Sequence, residues 1–192
     1  MKKFKVFLFL LCTSISFAQS KHEKETRISS SEFPEVSHRY FNGIANQVNY
    51  LKYFREEKGD RVSFEAKFKL NKLHYSVAFN SEGILEDIEI YIKKKHIPEN
   101  VLSNINDYLD KNYDKTRHIE IQKKYINNTS KNDKQFIDHI LENSEGNNTH
   151  YKIITETKTD GQHELREITF SSKGVFEKSR IVTSSSYEHA LY

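Results

Sequence analysis

The chain contains no tryptophan, one cysteine, one methionine, two prolines and six glycines in 192 residues. Each scarcity excludes something. The one cysteine, Cys12, lies in an apolar N-terminal run. The chain beyond that run must therefore fold without disulfides, and it has neither a thiol nucleophile nor a thiolate metal ligand. Glycine is too sparse for a phosphate-cradling loop, and there is no Gly-x-Ser-x-Gly elbow. The apolar run itself, Val6 to Phe17, falls short of the about 20 residues a membrane helix needs. Charge of one sign is also missing. The chain holds 30 Lys+Arg and 27 Asp+Glu. Three of the basic residues (Lys2, Lys3, Lys5) belong to the N-terminal run, which leaves balanced charge and no basic footprint for nucleic acid.

The N-terminal run is predicted to be an export signal. A basic start, an apolar middle and small residues at Ser16 and Ala18 form the pattern that a signal peptidase cuts, here between Ala18 and Gln19. No small residue precedes Cys12, which excludes a lipoprotein signal. The remaining 174 or so residues are long enough for one domain or two small ones. Thirteen Phe and eleven Tyr give them a composition suited to strands.

Residues 19–31 are polar and are expected to form a flexible lead-in. Phe33-Pro34-Glu35 then sets proline in the first turn of a helix with an acidic residue beside it. Val36, Tyr40, Phe41 and Ile44 continue at helical spacing. Val48 to Phe54, Arg61 to Leu70, Leu73 to Phe79 and Ile84 to Ile92 read as four strands. In the second of these, Val62, Phe64, Ala66, Phe68 and Leu70 alternate with Arg61, Ser63, Glu65, Lys67 and Lys69, the pattern of a half-buried antiparallel strand. Ile97-Pro98-Glu99 restarts the plan. Val101, Leu102, Ile105, Tyr108, Leu109 and Tyr113 form the cleanest helical stripe, and strands are expected at 118–122, 151–158, 164–170 and 175–182.

Residues 127–148 interrupt the second round as a polar insertion with one amphipathic piece at Phe136, Ile137, Ile140 and Leu141. The stretch Phe79-Asn80-Ser81-Glu82-Gly83-Ile84-Leu85-Glu86 matches Phe170-Ser171-Ser172-Lys173-Gly174-Val175-Phe176-Glu177 at an offset of 91. This suggests an internal duplication. The predicted fold class is α+β: two tandem helix-plus-four-stranded antiparallel meander units, at 32–95 and 96–182, with helices packed on one face of the sheet. A tail at 183–192 ends the chain.

Ile97-Pro98-Glu99-Asn100-Val101-Leu102, continuing through Asn106-Asp107-Tyr108 to Asn112-Tyr113 and Ile119-Glu120-Ile121, resembles the PepSY-like and beta-lactamase-inhibitor-protein-like exported domains of Bacteroidota. The resemblance covers about residues 33–182 apart from the insertion. It implies an α+β fold, a location in the periplasm or outside the cell, and a role in binding or inhibition. It supplies no catalytic residues.

No catalytic, cofactor or metal site is expected from the residues themselves. The histidines are scattered without zinc spacing, although His150 and His163 could face each other across a hairpin. The new N-terminus, Gln19-Ser20-Lys21-His22, does not place His third, as a copper site would. Glu86, Asp87 and Glu89, mirrored by Glu177, come after a turn on a strand and read as a solvated face rather than an acid–base pair. The terminal Tyr192 invites comparison with outer-membrane barrels, but charges on the non-core face of residues 61–70 exclude a lipid-facing strand. Two surfaces remain for function: the outward sheet face (Glu65, Lys67, Lys69, His74, Ser76, Asp87, Glu89, Tyr91) and the insertion. The expected function is a non-enzymatic binding or inhibitory module for a protein or peptide partner. The alternative is a ligand-sensing or chaperone-like envelope domain that regulates a protease or other envelope protein.

Overall fold

The computed structural model describes residues 20–21, 24–41, 43–44, 46–129, 131–143 and 149–182. The expected signal with its Ala18–Gln19 cleavage point, and the tail at 183–192, lie outside the described residues. The strands are β1 (Ser20–Lys21), β2 (Lys24–Ile28), β3 (Asn49–Lys58), β4 (Arg61–Leu70), β5 (Leu73–Asn80), β6 (Leu85–Tyr91), β7 (Lys115–Tyr125), β8 (His150–Thr159), β9 (Gln162–Ser171) and β10 (Phe176–Val182). The helices are α1 (Glu35–Phe41), α2 (Glu99–Asn112) and α3 (Asp133–Glu142).

All ten strands form one sheet in the order β1-β10-β9-β8-β7-β6-β5-β4-β3-β2. The expected pair of tandem units is therefore wrong. Strand β6 does not end a meander with a free edge. It pairs antiparallel with β7 through Ile88–Tyr125, Glu89–Lys124, Ile90–Lys123 and Tyr91–Gln122. An unpaired edge leaves a row of backbone donors and acceptors unmet, and β7 satisfies it. The apolar residues form two clusters that touch through the partly buried Ile92, which packs against both.

The lead-in is not loose either. Lys24–Ile28 pairs with Tyr53–Glu57 of β3, and Ser20–Lys21 runs parallel to Ile181–Val182 of β10. These two short strands sit on opposite ends of the sheet, and that determines its shape. A flat sheet would hold β10 and β3 roughly 34 Å apart at the usual strand spacing. Lys21 lies beside Val182 and Lys24 beside Glu57, yet three peptide links reach at most about 11 Å. The sheet must therefore curl until its two ends approach.

One face of the curled sheet is apolar. Ala66, Phe68, Tyr75, Val77, Phe79, Ile88 and Ile90 pack against Phe33, Phe41 and four residues of α3, namely Phe136, Ile137, Ile140 and Leu141. Ile121, Tyr151, Ile153, Ile168 and Phe170 pack against Val101, Ile105 and Leu109 of α2. The segment read as an insertion thus supplies core residues. Its helix is capped by Asn132, which accepts from the Gln135 N–H at 3.0 Å while the Gln135 side chain accepts in return. Asp133 accepts from the Leu85 N–H at 2.9 Å.

The two matched turns share their chemistry. Gly83 N–H donates to Asn80 O at 3.0 Å and Gly174 N–H to Ser171 O at 2.9 Å. Their φ angles are +80° and +78°. They differ in what lies above them. A Cβ on Gly174 would sit 2.5 Å from the Val101 carbonyl oxygen, whereas on Gly83 the nearest atom is the Ser37 hydroxyl at 2.9 Å. Gly174→Ala is expected to cost about 2–3 kcal/mol, combining left-handed strain with a clash against backbone. Gly83→Ala should cost less, because Ser37 is a side chain. Chemical denaturation of the two variants measures the difference.

Candidate functional site

The other face of the sheet is charged, and the curl makes it concave. Residues from β2 and β3 at one end and from β10 at the other line a single cavity of about 470 Å³. Strand alternation sends Glu65, Lys67, Asp87, Glu89, Tyr91, Gln122, Lys124, Lys152 and Glu167 to this side.

The charges on the floor form an alternating ladder across the strands. Lys67 Nζ binds Glu25 at 2.7 Å and Glu65 at 3.1 Å. The Ser76 hydroxyl also donates to Glu65. Lys124 Nζ binds Asp87 at 2.5 Å and Glu89 at 3.3 Å. Lys152 donates to the other oxygen of Glu89. Arg180 closes the ladder with two bonds to Glu167, at 2.8 and 2.9 Å. Glu89 and Glu167 are only 6% and 4% exposed, so this is not the ordinary solvated face expected from alternation. Lys67 also lies over the Phe54 ring, 4.8 Å from its centre.

Proton affinities reflect the packing. Burial and the neighbouring Glu89 charge push Asp87 up to about 6, against the pull of Lys124. Burial also opposes ionisation of Glu89, but Lys152 and Lys124 outweigh it and hold this carboxyl below its usual range. Two carboxylates that share one ammonium separate in this way.

The Asp87 shift has a definite sign. A folded-state pKa above the unfolded value gives stability that is complete below about pH 4 and is lost as pH rises through about 6. The Asp87→Asn variant cannot titrate. Relative to that variant, the native protein should therefore gain about 3 kcal/mol between pH 7.5 and pH 3.5. Urea titrations at the two pH values measure it, and a gap that does not change with pH would refute the assignment.

The outward face predicted from the sequence is only partly gathered here. Glu65, Lys67, Asp87, Glu89 and Tyr91 line the cavity, whereas Lys69, His74 and Ser76 do not. His150 and His163 do not meet, because β8 and β9 pair His150 with Ser171 and Lys158 with His163, at opposite ends of the hairpin. Instead His150 binds Glu177 at 3.2 Å and His163 binds Glu156 at 3.2 Å. Glu86 pairs with Arg61. Sequence reasoning missed Glu25, Gln122, Lys124, Lys152, Glu167 and Arg180. The signal that could have found them is strand alternation: Gln122 and Lys124 alternate with Ile121 and Tyr125, Lys152 with Tyr151 and Ile153, and Glu167 with Ile168 and Phe170. Among the described residues no group of three or more His, Cys, Asp or Glu is arranged to hold a metal ion.

No family model matches the sequence, and no curated protein matches it. The fold does have solved counterparts. A DUF2874 family protein from Bacteroides ovatus superimposes with a TM-score of 0.51 over 77% of this chain and 86% of its own, at 12% identity. A candidate periplasmic protein from Bacteroides eggerthii does so with a TM-score of 0.52 over 80% and 97%, at 9% identity. A BLIP-like protein from Bacteroides fragilis reaches 0.48 over 78% and 86%, at 12% identity. At such identities the likeness is one of fold. The counterparts above 0.5 come from Bacteroides, in line in fold with the exported Bacteroidota resemblance, and the PepSY-like part of that resemblance is not supported by them. No helix among the described residues is long and apolar enough to cross a membrane.

Proposed function

We propose that this is an exported, non-enzymatic binding module that receives a protein or peptide partner on its concave sheet face. One observation carries the reading: a curled sheet with helices on its outer side presents a 470 Å³ polar cavity lined from both ends of the sheet. Small-molecule pockets are mostly apolar with a few polar groups, whereas polar, hydrogen-bonding linings suit protein surfaces. The carboxylates Glu65, Glu89 and Glu167 are each bound to a cation, which fits a rigid recognition surface better than a set of groups poised for proton transfer. Export is supported by the N-terminal signal pattern and by the periplasmic description of the Bacteroides eggerthii counterpart. The periplasm is the location this favours.

The test must block the cavity without breaking the ladder. Lys67 is unsuitable because its side chain is 16% exposed and tied to two carboxylates. Ser63 lines the cavity on β4, and Ser63→Trp fills it. Lys134, on the outer side of α3, is 52% exposed, and Lys134→Trp serves as the control. A partner captured from envelope extract by the native protein should be lost with Ser63→Trp and kept with Lys134→Trp. Equal capture by all three would place the binding surface elsewhere.

A further inference from the structure

The cavity has an unbalanced charge and an unmet acceptor. Nine carboxylates line it against six lysine or arginine side chains, an excess of three negative charges. The rest of the chain must carry the compensating positive charge, since the whole has a formal net charge of +3. The imbalance is therefore local to the concave face.

Gln122 supplies the second observation. It lies in the floor of the cavity on β7 and is 3% exposed. Its Nε2 donates to Glu120 Oε1 at 2.6 Å. That bond fixes the amide orientation, because a flipped amide would press one oxygen against another. The Gln122 Oε1 is then left buried with no hydrogen-bond partner. A buried acceptor without a donor costs about 1–3 kcal/mol, and proteins rarely leave one unmet. What it calls for is an N–H or O–H group brought from outside.

An excess of negative charge and an unmet acceptor ask for the same thing, a positively charged donor. We propose that the concave face binds a basic segment of a partner protein, with a lysine or arginine side chain entering between the carboxylates and donating to Gln122. This rests on the binding-module reading and names the partner's chemistry. Arginine suits the site best. Its fork of five donors can serve a carboxylate and the amide oxygen together.

The probe is labelled hexa-arginine, compared with hexa-glutamate and a glycine–serine peptide by fluorescence anisotropy with the purified protein. Hexa-arginine is expected to bind at least tenfold more tightly than the other two, and more weakly as salt rises towards about 0.15 M. Three variants tie binding to the site. Gln122→Leu should weaken it about tenfold. Glu177→Lys should weaken it and the neighbouring Lys178→Glu should strengthen it, each by a few fold. Glu177 is 38% exposed and Lys178 lies on the exposed rim of β10, so these two keep the test decisive even if Gln122→Leu fails to fold. Equal binding of the three peptides, or identical affinities for Glu177→Lys and Lys178→Glu, overturns the proposal. If hexa-arginine fails while Ser63→Trp still abolishes capture of an envelope partner, the basic preference falls and the binding-module reading stands.

Discussion

Replacing Lys152 by methionine is expected to lower stability by about 3–5 kcal/mol at neutral pH, which is the usual cost of stranding one member of a buried ion pair. Lys152 sits at the centre of the concave face with a side chain 16% exposed, and its partner Glu89 is 8% exposed. Removing the ammonium leaves Glu89 with only Lys124, at 3.3 Å and already shared with Asp87. Burial then dominates and the Glu89 carboxyl moves up from its present low value.

That movement gives the variant a pH signature. In the native protein the depressed Glu89 contributes stability that is present above its ordinary pKa of about 4.5 and is lost only as pH falls to about 2. In Lys152→Met the same carboxyl takes up its proton at higher pH, so the gap between variant and native protein should be widest near pH 7 and narrow towards pH 4. The double variant Lys152→Met with Glu89→Leu should recover most of the loss, because two apolar side chains satisfy each other where one charge cannot. Equilibrium denaturation of the three proteins at pH 7 and pH 4 is the measurement. A loss below 1 kcal/mol for Lys152→Met would mean that Glu89 reaches solvent.

Phe136→Ala on α3 should cost a similar amount, about 3–5 kcal/mol. Phe136 is 5% exposed, and its neighbour Ile137 is fully buried in the cluster beneath β4, β5 and β6. On the opposite side of the same helix, Lys134→Ala removes an exposed pair with Asp138 and should cost no more than about 0.5 kcal/mol. A tenfold ratio between two changes two residues apart would establish the helix as part of the core. Similar small losses would instead make it a detachable surface segment, open to a binding role of its own.

That contrast shows where residue patterns speak and where they do not. The apolar stripe of α3 was legible, and so was its helical form, since Phe136, Ile137, Ile140 and Leu141 recur at helical spacing. What it packs against was not. Spacing gives the apolar face of a helix but not the partner, and α3 packs beneath strands that precede it by some fifty residues. The ladder was half legible for the same reason. Alternation placed Glu65, Lys67, Asp87 and Glu89 on one face. The same rule could not say whether water or another charge would meet them.

From the amino-acid sequence alone came the strands, their apolar faces, the turns at Gly83 and Gly174, the helix of Val101, Ile105 and Leu109, and a fold free of disulfides. These are local properties. Side chains alternate along a strand, an apolar stripe marks a helix, and a positive φ favours glycine whatever lies nearby. Tertiary structure alone decided that β6 pairs with β7, that Lys24–Ile28 becomes an edge strand, and that the sheet curls until its ends approach. Backbone edges carry the same donors and acceptors in every sequence, so nothing local tells one strand which neighbour to choose. Once that choice is made, curvature brings Glu25, Glu89, Lys152 and Arg180 to one cavity from strands far apart in the chain.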